Sequence, residues 1–156
     1  MKRKKHWEQI LDKTLREAES HCFAYGKNDC CIWPTSVVQA LTGVDWAADL
    51  RGKYDSAFGA AKLMKEVGGE GIESTINAIV KKFEIKEIHP MRASRGDLVM
   101  VRAQGNAGEA HRVEFLADGS ITALAVVEMD GRNACTFAPE GLIHVPHAYW
   151  VKGFRV

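Results

Sequence analysis

The sequence has few cysteines, and their spacing does not suit the common metal sites. Its 156 residues include Cys22, Cys30, Cys31 and Cys135, and no two of them have the C-x2-C spacing typical of zinc ligands. We therefore expect no metal and no cofactor. The alternative is a thiol or metal site built on Cys22, Cys30 and Cys31.

The sequence also lacks an excess of either charge. It has 21 basic and 20 acidic residues and a net charge of +1. A protein that follows a phosphate backbone needs a basic surface, so we do not expect nucleic acid as a partner. The one basic cluster, Lys-Arg-Lys-Lys at residues 2–5, precedes the first predicted helix. Residues 1–20 are therefore either a solvated tail and helix or a docking element for an acidic neighbour.

Long apolar runs are absent as well. No run approaches the roughly 18–20 residues that a membrane-spanning helix requires, so we expect no membrane insertion. Residues 7–12 have no continuous apolar segment, and we expect no secretory signal peptide and synthesis in the cytoplasm. A cytoplasmic protein rarely uses disulfides, so Cys22, Cys31 and Cys135 are expected to be small buried residues.

The length and 46% hydrophobic content suit one domain, residues 1–156.

Apolar residues recur at three- and four-residue intervals in the first half of the chain, which predicts helices. The predicted helices cover residues 5–20, 29–42, from Asp55 or Ser56 to Val67, and 71–83. Asn28 or Asp29 is expected to cap the second helix, and Gly43 to end it. Pro34 lacks the N–H that would bond the Cys30 carbonyl, so the helix either kinks at Pro34 or becomes regular only there.

The second half of the chain alternates between apolar and polar residues, which predicts strands. The predicted strands cover residues 85–88, 97–103, 111–117, 121–129, 133–138 and 148–155. Asp118-Gly119 and Asp130-Gly131 are strong hairpin signals. Because the helices come first and an antiparallel sheet follows, we assign the chain to the α+β class.

The segment from Phe23 to Cys31 places Cys30 between a glycine turn and a predicted helix. Unpaired backbone N–H groups and the positive end of the helix dipole favour the thiolate at such a position. Cys30 is therefore the candidate nucleophile. Acyl transfer by a thiolate also needs an imidazole base and a polar residue that orients the ring.

Two segments, Tyr25–Cys30 and Arg95–Val99, resemble the nucleophile motif and the first-strand motif of NlpC-type papain-fold peptidases, which are bacterial and phage cell-wall hydrolases. The order of elements is similar too, and the resemblance covers about residues 20–152. It implies a papain-like fold, with N-terminal helices packed on a C-terminal antiparallel sheet. It further implies a cysteine peptidase or amidase that acts on peptidoglycan, with Tyr25 and Asp29 as candidate substrate-binding residues.

Three further segments resemble a phage-associated branch of that group, encoded among tail genes. They are Thr42–Asp45, Arg51–Tyr54 and, before Trp150, Pro139–Leu142. This likeness implies a protein of the distal tail or tail tip of a long-tailed phage or gene-transfer particle. There it would help to open peptidoglycan during genome delivery, with other tail-tip proteins as partners. The implied location is the virion tail, assembled in the host cytoplasm.

The histidine of the resemblance can be aligned in two ways, since in NlpC-type enzymes it opens the second strand. One alignment places that strand at residues 123–131, with Ala123 where the histidine should be. The other places it at 111–119, with His111 as the base. His144 is then the ring-orienting residue, a surrogate base, or a structural histidine in an apolar strand.

Two hypotheses follow from these alignments. The first is an active peptidase in which Cys30 is the nucleophile, His111 is the base, and an N–H at the helix start belongs to the oxyanion site. The second is a structural tail-tip subunit that keeps the peptidase fold with little or no activity. Proton-transfer groups contribute about 10²–10⁴-fold to such rates, so loss of the base would leave little hydrolysis.

Overall fold

The computed structural model describes residues 2–68, 70–104 and 120–156. Within them the protein is α+β, as predicted, with four α-helices and one six-stranded antiparallel sheet. The predicted strand 111–117, which contains His111, lies outside the described residues. The helices are α1 Trp7–Ala18, α2 Ile32–Thr42, α3 Ala57–Val67 and α4 Ile72–Lys82, and the strands are β1 Glu87–Ile88, β2 Leu98–Gln104, β3 Ser120–Val127, β4 Asn133–Ala138, β5 Gly141–Pro146 and β6 Trp150–Phe154.

The sheet has the strand order β1-β6-β2-β3-β4-β5, and it is strongly curled. In a flat sheet, β5 and β6 would lie about 19 Å apart, four strand spacings. Only the 3-10 turn His147–Tyr149 joins them, and the chain from Pro146 to Trp150 spans at most about 14 Å. The sheet must therefore bend until β5 and β6 approach each other. The indole N–H of Trp150 donates to the Val145 carbonyl over 3.0 Å at this closure.

Two apolar clusters occupy the two faces of the curled sheet, because alternate residues of a strand point to opposite sides. The larger cluster joins the helices to one face and includes Leu11, Val37, Val38, Leu41, Met64, Ile76, Leu98, Met100, Leu124, Val126, Phe137 and Phe154. The smaller one lies on the other face and contains Val99, Val101, Ala123, Ala125, Val127, Ala134 and Trp150. Cys31 belongs to the larger cluster, whereas Cys30 packs against the smaller one.

The basic N-terminal segment is folded back on the domain. The Arg3 guanidinium donates to the Asp97 carboxylate over 2.8 Å and to the Val156 carbonyl over 3.0 Å. The backbone N–H of Lys4 donates to the Leu41 carbonyl over 2.7 Å. Arg3 and Lys4 are therefore bound to the rest of the domain, and a docking role for residues 1–20 stays a prediction.

The helix that follows the cysteines begins later than predicted, at Ile32, and ends at Gly43 as predicted. Pro34 therefore lies in the first turn, where a helix has no internal partner for the backbone N–H. The helix starts before Pro34, so the alternative in which it becomes regular only at Pro34 is wrong. Ser56 caps α3, as predicted, by accepting a hydrogen bond from Gly59 over 3.2 Å.

Candidate functional site

A single carboxylate organises the turn that carries the cysteines. Asp29 is 3% exposed, and one of its oxygens accepts the backbone N–H groups of Cys31 and Ile32 over 2.9 and 2.7 Å. The other oxygen accepts the Gly26 N–H and the Tyr54 hydroxyl, both over 2.7 Å. The N-cap position of α2 is held by Cys31, and the Asp29 carboxylate caps the helix start from two positions earlier. Its four hydrogen bonds fix the position of the turn.

The turn is also packed tightly against the segment that precedes α3. Gly26 has a φ of +74°, and a Cβ added there would lie 2.2 Å from the Tyr54 carbonyl oxygen. Its own carbonyl accepts the Gly52 N–H over 3.2 Å. Only glycine allows both this backbone conformation and this approach. The segment Arg51–Tyr54 therefore forms one wall of the cysteine turn.

A second ion pair holds that wall in place. The Arg51 guanidinium donates to both carboxylate oxygens of Asp45 over 2.8 Å and to the Ser36 hydroxyl over 2.6 Å. Ser36 belongs to α2, and Asp45 lies in the segment that follows the end of this helix at Thr42. The bidentate pair therefore joins the end of α2 to the segment that supports the turn at its start.

The backbone of Cys30 is bound to the sheet. Its carbonyl oxygen accepts the N–H of Leu124 in β3 over 3.0 Å. In a regular helix that oxygen would accept the N–H of residue 34, but Pro34 has none. The described pairs between β3 and β4 are at Val126 and Val127, so they do not include Leu124. At Leu124 the edge of β3 is instead covered by the backbone that leads into α2.

The surroundings of Cys30 work against the expected activation of its thiol. Burial, and after it the negative charge of Asp29, raise the pKa of Cys30 from 9.0 to about 12. The same two causes raise the pKa of the neighbouring Cys31. The N–H groups at the helix start are bound to the Asp29 carboxylate, whose charge opposes a second anion nearby. Burial and the Asp29 charge therefore oppose a thiolate at Cys30, and its role as nucleophile stays a prediction.

His144 lies on β5, two strands beyond β3 in the strand order. Its Nδ1 lies 2.7 Å from a carboxylate oxygen of Glu128, and its side chain is 54% exposed. The expected role of His144 as ring-orienting residue or surrogate base stays a prediction. His111, the other candidate, lies outside the described residues.

Ala123, the alternative position for the histidine, lies close to the cysteine turn. It precedes Leu124, which binds the Cys30 carbonyl, and it belongs to the small cluster against which Cys30 packs. Ala123 is 2% exposed. A methyl group therefore occupies the position at which the first alignment expects an imidazole.

An apolar pocket of about 400 Å³ opens beside Cys30, between the cysteine turn, α3 and the start of α4. Such a volume is typical of sites that hold small ligands or side chains. Among the described residues, the lining contains no histidine. It consists of Phe23, Tyr25, Asp29, Cys30, Cys31, Tyr54, Ala57, Ala60, Ala61, Met64, Lys65, Glu70, Gly71 and Ile72.

Both predicted substrate-binding residues line this pocket. Tyr25 stacks edge-on against Phe23, with ring centroids 4.8 Å apart, and presents an aromatic wall. Asp29 contributes a carboxylate whose two oxygens each accept two hydrogen bonds from the protein. Their contact with a substrate stays a prediction, and Asp29 has the structural role described above.

Sequence reasoning missed the pocket walls that come from α3 and from Tyr54. The signal was present in Ala57, Ala60 and Ala61, small residues repeated on one face of a predicted helix, which leave space beside it. In the sequence, Tyr54 stands out only as the last residue of the segment Arg51–Tyr54. Its hydroxyl bond to Asp29 joins residues 25 positions apart, which no local pattern reveals.

The described residues contain no group of three or more histidine, cysteine, aspartate or glutamate side chains placed to hold a metal ion. None of the described helices combines the length and apolar character that a bilayer crossing demands. Cys22, Cys30, Cys31 and Cys135 are all free thiols, and Cys22 is exposed.

The fold and the site define an α+β domain built around a capped cysteine turn and an apolar pocket. A family model described as "Domain of unknown function (DUF6950)" matches residues 2–156, and the chain belongs to this family. Comparison with curated proteins and with solved structures gave no match. The family description names no activity, substrate or partner.

Proposed function

We propose that this protein is a tail-tip subunit of a phage or related particle that keeps an NlpC-like, papain-type fold and acts by binding, with little or no peptidase activity. The observation that carries this proposal is the setting of Cys30, which lies beside the Asp29 carboxylate in a pocket whose described lining contains no histidine. Burial and the Asp29 charge also raise the pKa of Cys30, which favours the protonated thiol. A protonated thiol is a poor nucleophile.

The papain-type fold is supported by the way in which the helices meet the sheet. The resemblance implies a cysteine at the start of a helix that packs on a barrel-like antiparallel sheet. Here Cys30 precedes α2, its carbonyl binds β3, and the sheet curls until β5 and β6 meet. These features agree with the implied arrangement.

The loss of the base is supported by Ala123. The methyl group of this residue lies in the cluster that Cys30 contacts, next to the residue that binds the Cys30 backbone. An imidazole that served Cys30 from β3 would have to project from this neighbourhood. The alignment with Ala123 in the place of the histidine therefore suits the geometry.

The tail-tip role rests on the resemblance of three short segments, and two of them meet in space. Asp45, from the first segment, binds Arg51, from the second, through both carboxylate oxygens. Tyr54, also in the second, binds Asp29 of the nucleophile motif. These two segments and the nucleophile motif therefore form one hydrogen-bonded unit around the cysteine turn. We place the protein in the virion tail, beside other tail-tip proteins and near peptidoglycan.

An active cysteine peptidase is the second candidate. It is favoured by one observation, the position of the half-buried Cys30 on the wall of a pocket large enough for a substrate. His111 would be its base. Zymography on purified peptidoglycan separates the two candidates, with Cys30→Ala and His111→Ala as variants and the exposed Cys22→Ala as the matched control. We expect no clearing by any of the four proteins, with lysozyme as positive control. Clearing by the wild type and Cys22→Ala that both other variants abolish would establish the peptidase.

A further inference from the structure

The pocket beside Cys30 has walls that suit an apolar side chain. Phe23, Tyr25 and Tyr54 form one side, and Met64 and Ile72 form another. The lining of this 400 Å³ space is therefore suited to a large apolar group.

An exposed aromatic side chain extends the apolar surface beyond the pocket. Phe58 is 83% exposed, the most exposed large hydrophobic residue in the described part of the chain. It precedes Ala61 by three positions and Lys65 by seven, so all three share one face of α3. Ala61 and Lys65 line the pocket, which places Phe58 beside its mouth. Exposed aromatic residues next to an apolar pocket are typical of binding surfaces.

The mouth of the pocket carries one charge of each sign. Lys65 comes from the last turn of α3, and Glu70 from the connection to α4. A fatty-acid carboxylate would be attracted by the first and repelled by the second. A peptide main chain offers both carbonyl acceptors and N–H donors, so it suits both groups.

We infer that this pocket binds a peptide segment of another protein that inserts a large apolar side chain, with its main chain lying between Lys65 and Glu70 and against Phe58. The inference rests on the proposed function, because a subunit that acts by binding needs such a site. The tail-tip partner should therefore have an exposed segment that carries a bulky aliphatic or aromatic residue.

Methyl NMR on the full chain tests this inference. The probes are acetyl-Gly-Gly-Phe-Gly-Gly-amide, the same peptide with alanine at the centre, a muramyl dipeptide and sodium dodecanoate, and the reporters are the methyl groups of Met64 and Ile72. We expect the phenylalanine peptide to shift both reporters and to bind at least ten-fold more tightly than each other probe. Equal binding of the alanine peptide, or tighter binding of the muramyl dipeptide or dodecanoate, would overturn the inference.

Substitutions locate the binding site. Ala61→Trp fills the mouth from an exposed position, and we expect it to weaken the phenylalanine peptide at least ten-fold. Phe58→Ala should weaken it a few-fold. The matched control is Ala48→Trp, at an exposed position outside the pocket lining, which should bind like the wild type. Unchanged binding by both pocket variants would contradict the inference. Zymography tests the proposed function separately, so either proposal can fail alone.

Discussion

The carbonyl oxygen of Cys30 accepts a hydrogen bond from the backbone N–H of Leu124 over 3.0 Å. This bond exists because Pro34, four residues after Cys30, has no N–H to offer to the same oxygen. A proline that would disturb a longer helix thus leaves an acceptor for the sheet. The hydrogen bond from Leu124, which replaces the missing helix bond, fixes the cysteine turn against β3.

Asp29 should be the most sensitive polar residue of the site. Asp29→Ala removes the acceptor of four hydrogen bonds and leaves the Tyr54 hydroxyl without its partner. We expect the free energy of unfolding to fall by about 2–4 kcal/mol, from loss of the cap and of the charge-assisted bonds. Urea denaturation measures it. Tyr54→Phe, which removes one of the four bonds, should cost about 1–2 kcal/mol. A smaller loss for Asp29→Ala than for Tyr54→Phe would contradict this role.

Gly26 and Gly52 form a matched pair for substitution by alanine. Both have a positive φ, +74° and +69°, but only at Gly26 does an added Cβ meet an atom closer than 3 Å. Gly52→Ala should therefore cost about 1–2 kcal/mol from the backbone conformation alone. Gly26→Ala should cost at least about 2 kcal/mol more, because the Tyr54 carbonyl must move. Thermal or urea unfolding of the two variants side by side checks the difference, and equal losses would rule out the close packing.

The N-terminal segment should contribute to stability through Arg3. Arg3→Ala removes hydrogen bonds to the fully buried Asp97 and to Val156, and we expect a loss of about 1–3 kcal/mol. The control is Lys5→Ala, at an exposed position of the same basic cluster, which should stay within about 0.5 kcal/mol of the wild type. Similar small effects of both substitutions on the urea midpoint would show that the segment is only a tail.

The Asp45–Arg51 pair should give stability that depends on pH. Hydrogen bonds from Arg51 hold the pKa of Asp45 below its ordinary value of 3.8. A lowered pKa in the folded state means that the contribution is complete above the unfolded pKa and declines as the pH falls through the folded one. The difference in unfolding free energy between the wild type and Asp45→Asn should therefore be larger at pH 6 than at pH 3. A difference that stays constant, or grows at pH 3, would contradict the pairing.

Local patterns were enough to predict the α+β class, the order of most elements and the cap at Asp29, because these depend on residue period and on residue type within one turn. The contacts of Asp97 were not predictable, since its partner Arg3 lies 94 positions away in the chain. The thiolate rule is incomplete at Cys30 for a related reason. It considered the helix start alone, whereas burial and the neighbouring carboxylate determine the pKa. The pocket was missed because its walls come from separate elements.

The pH dependence of Cys30 alkylation tests the central claim most directly. The full chain is treated with iodoacetamide in its native state between pH 5 and pH 11, and the modification of Cys30 is followed by mass spectrometry. Because the pKa of Cys30 is raised to about 12, the rate should stay low near neutral pH and still be rising at pH 11. Alkylation that reaches a plateau below pH 7, and that His111→Ala slows, would instead show an activated cysteine–histidine pair and would contradict the account.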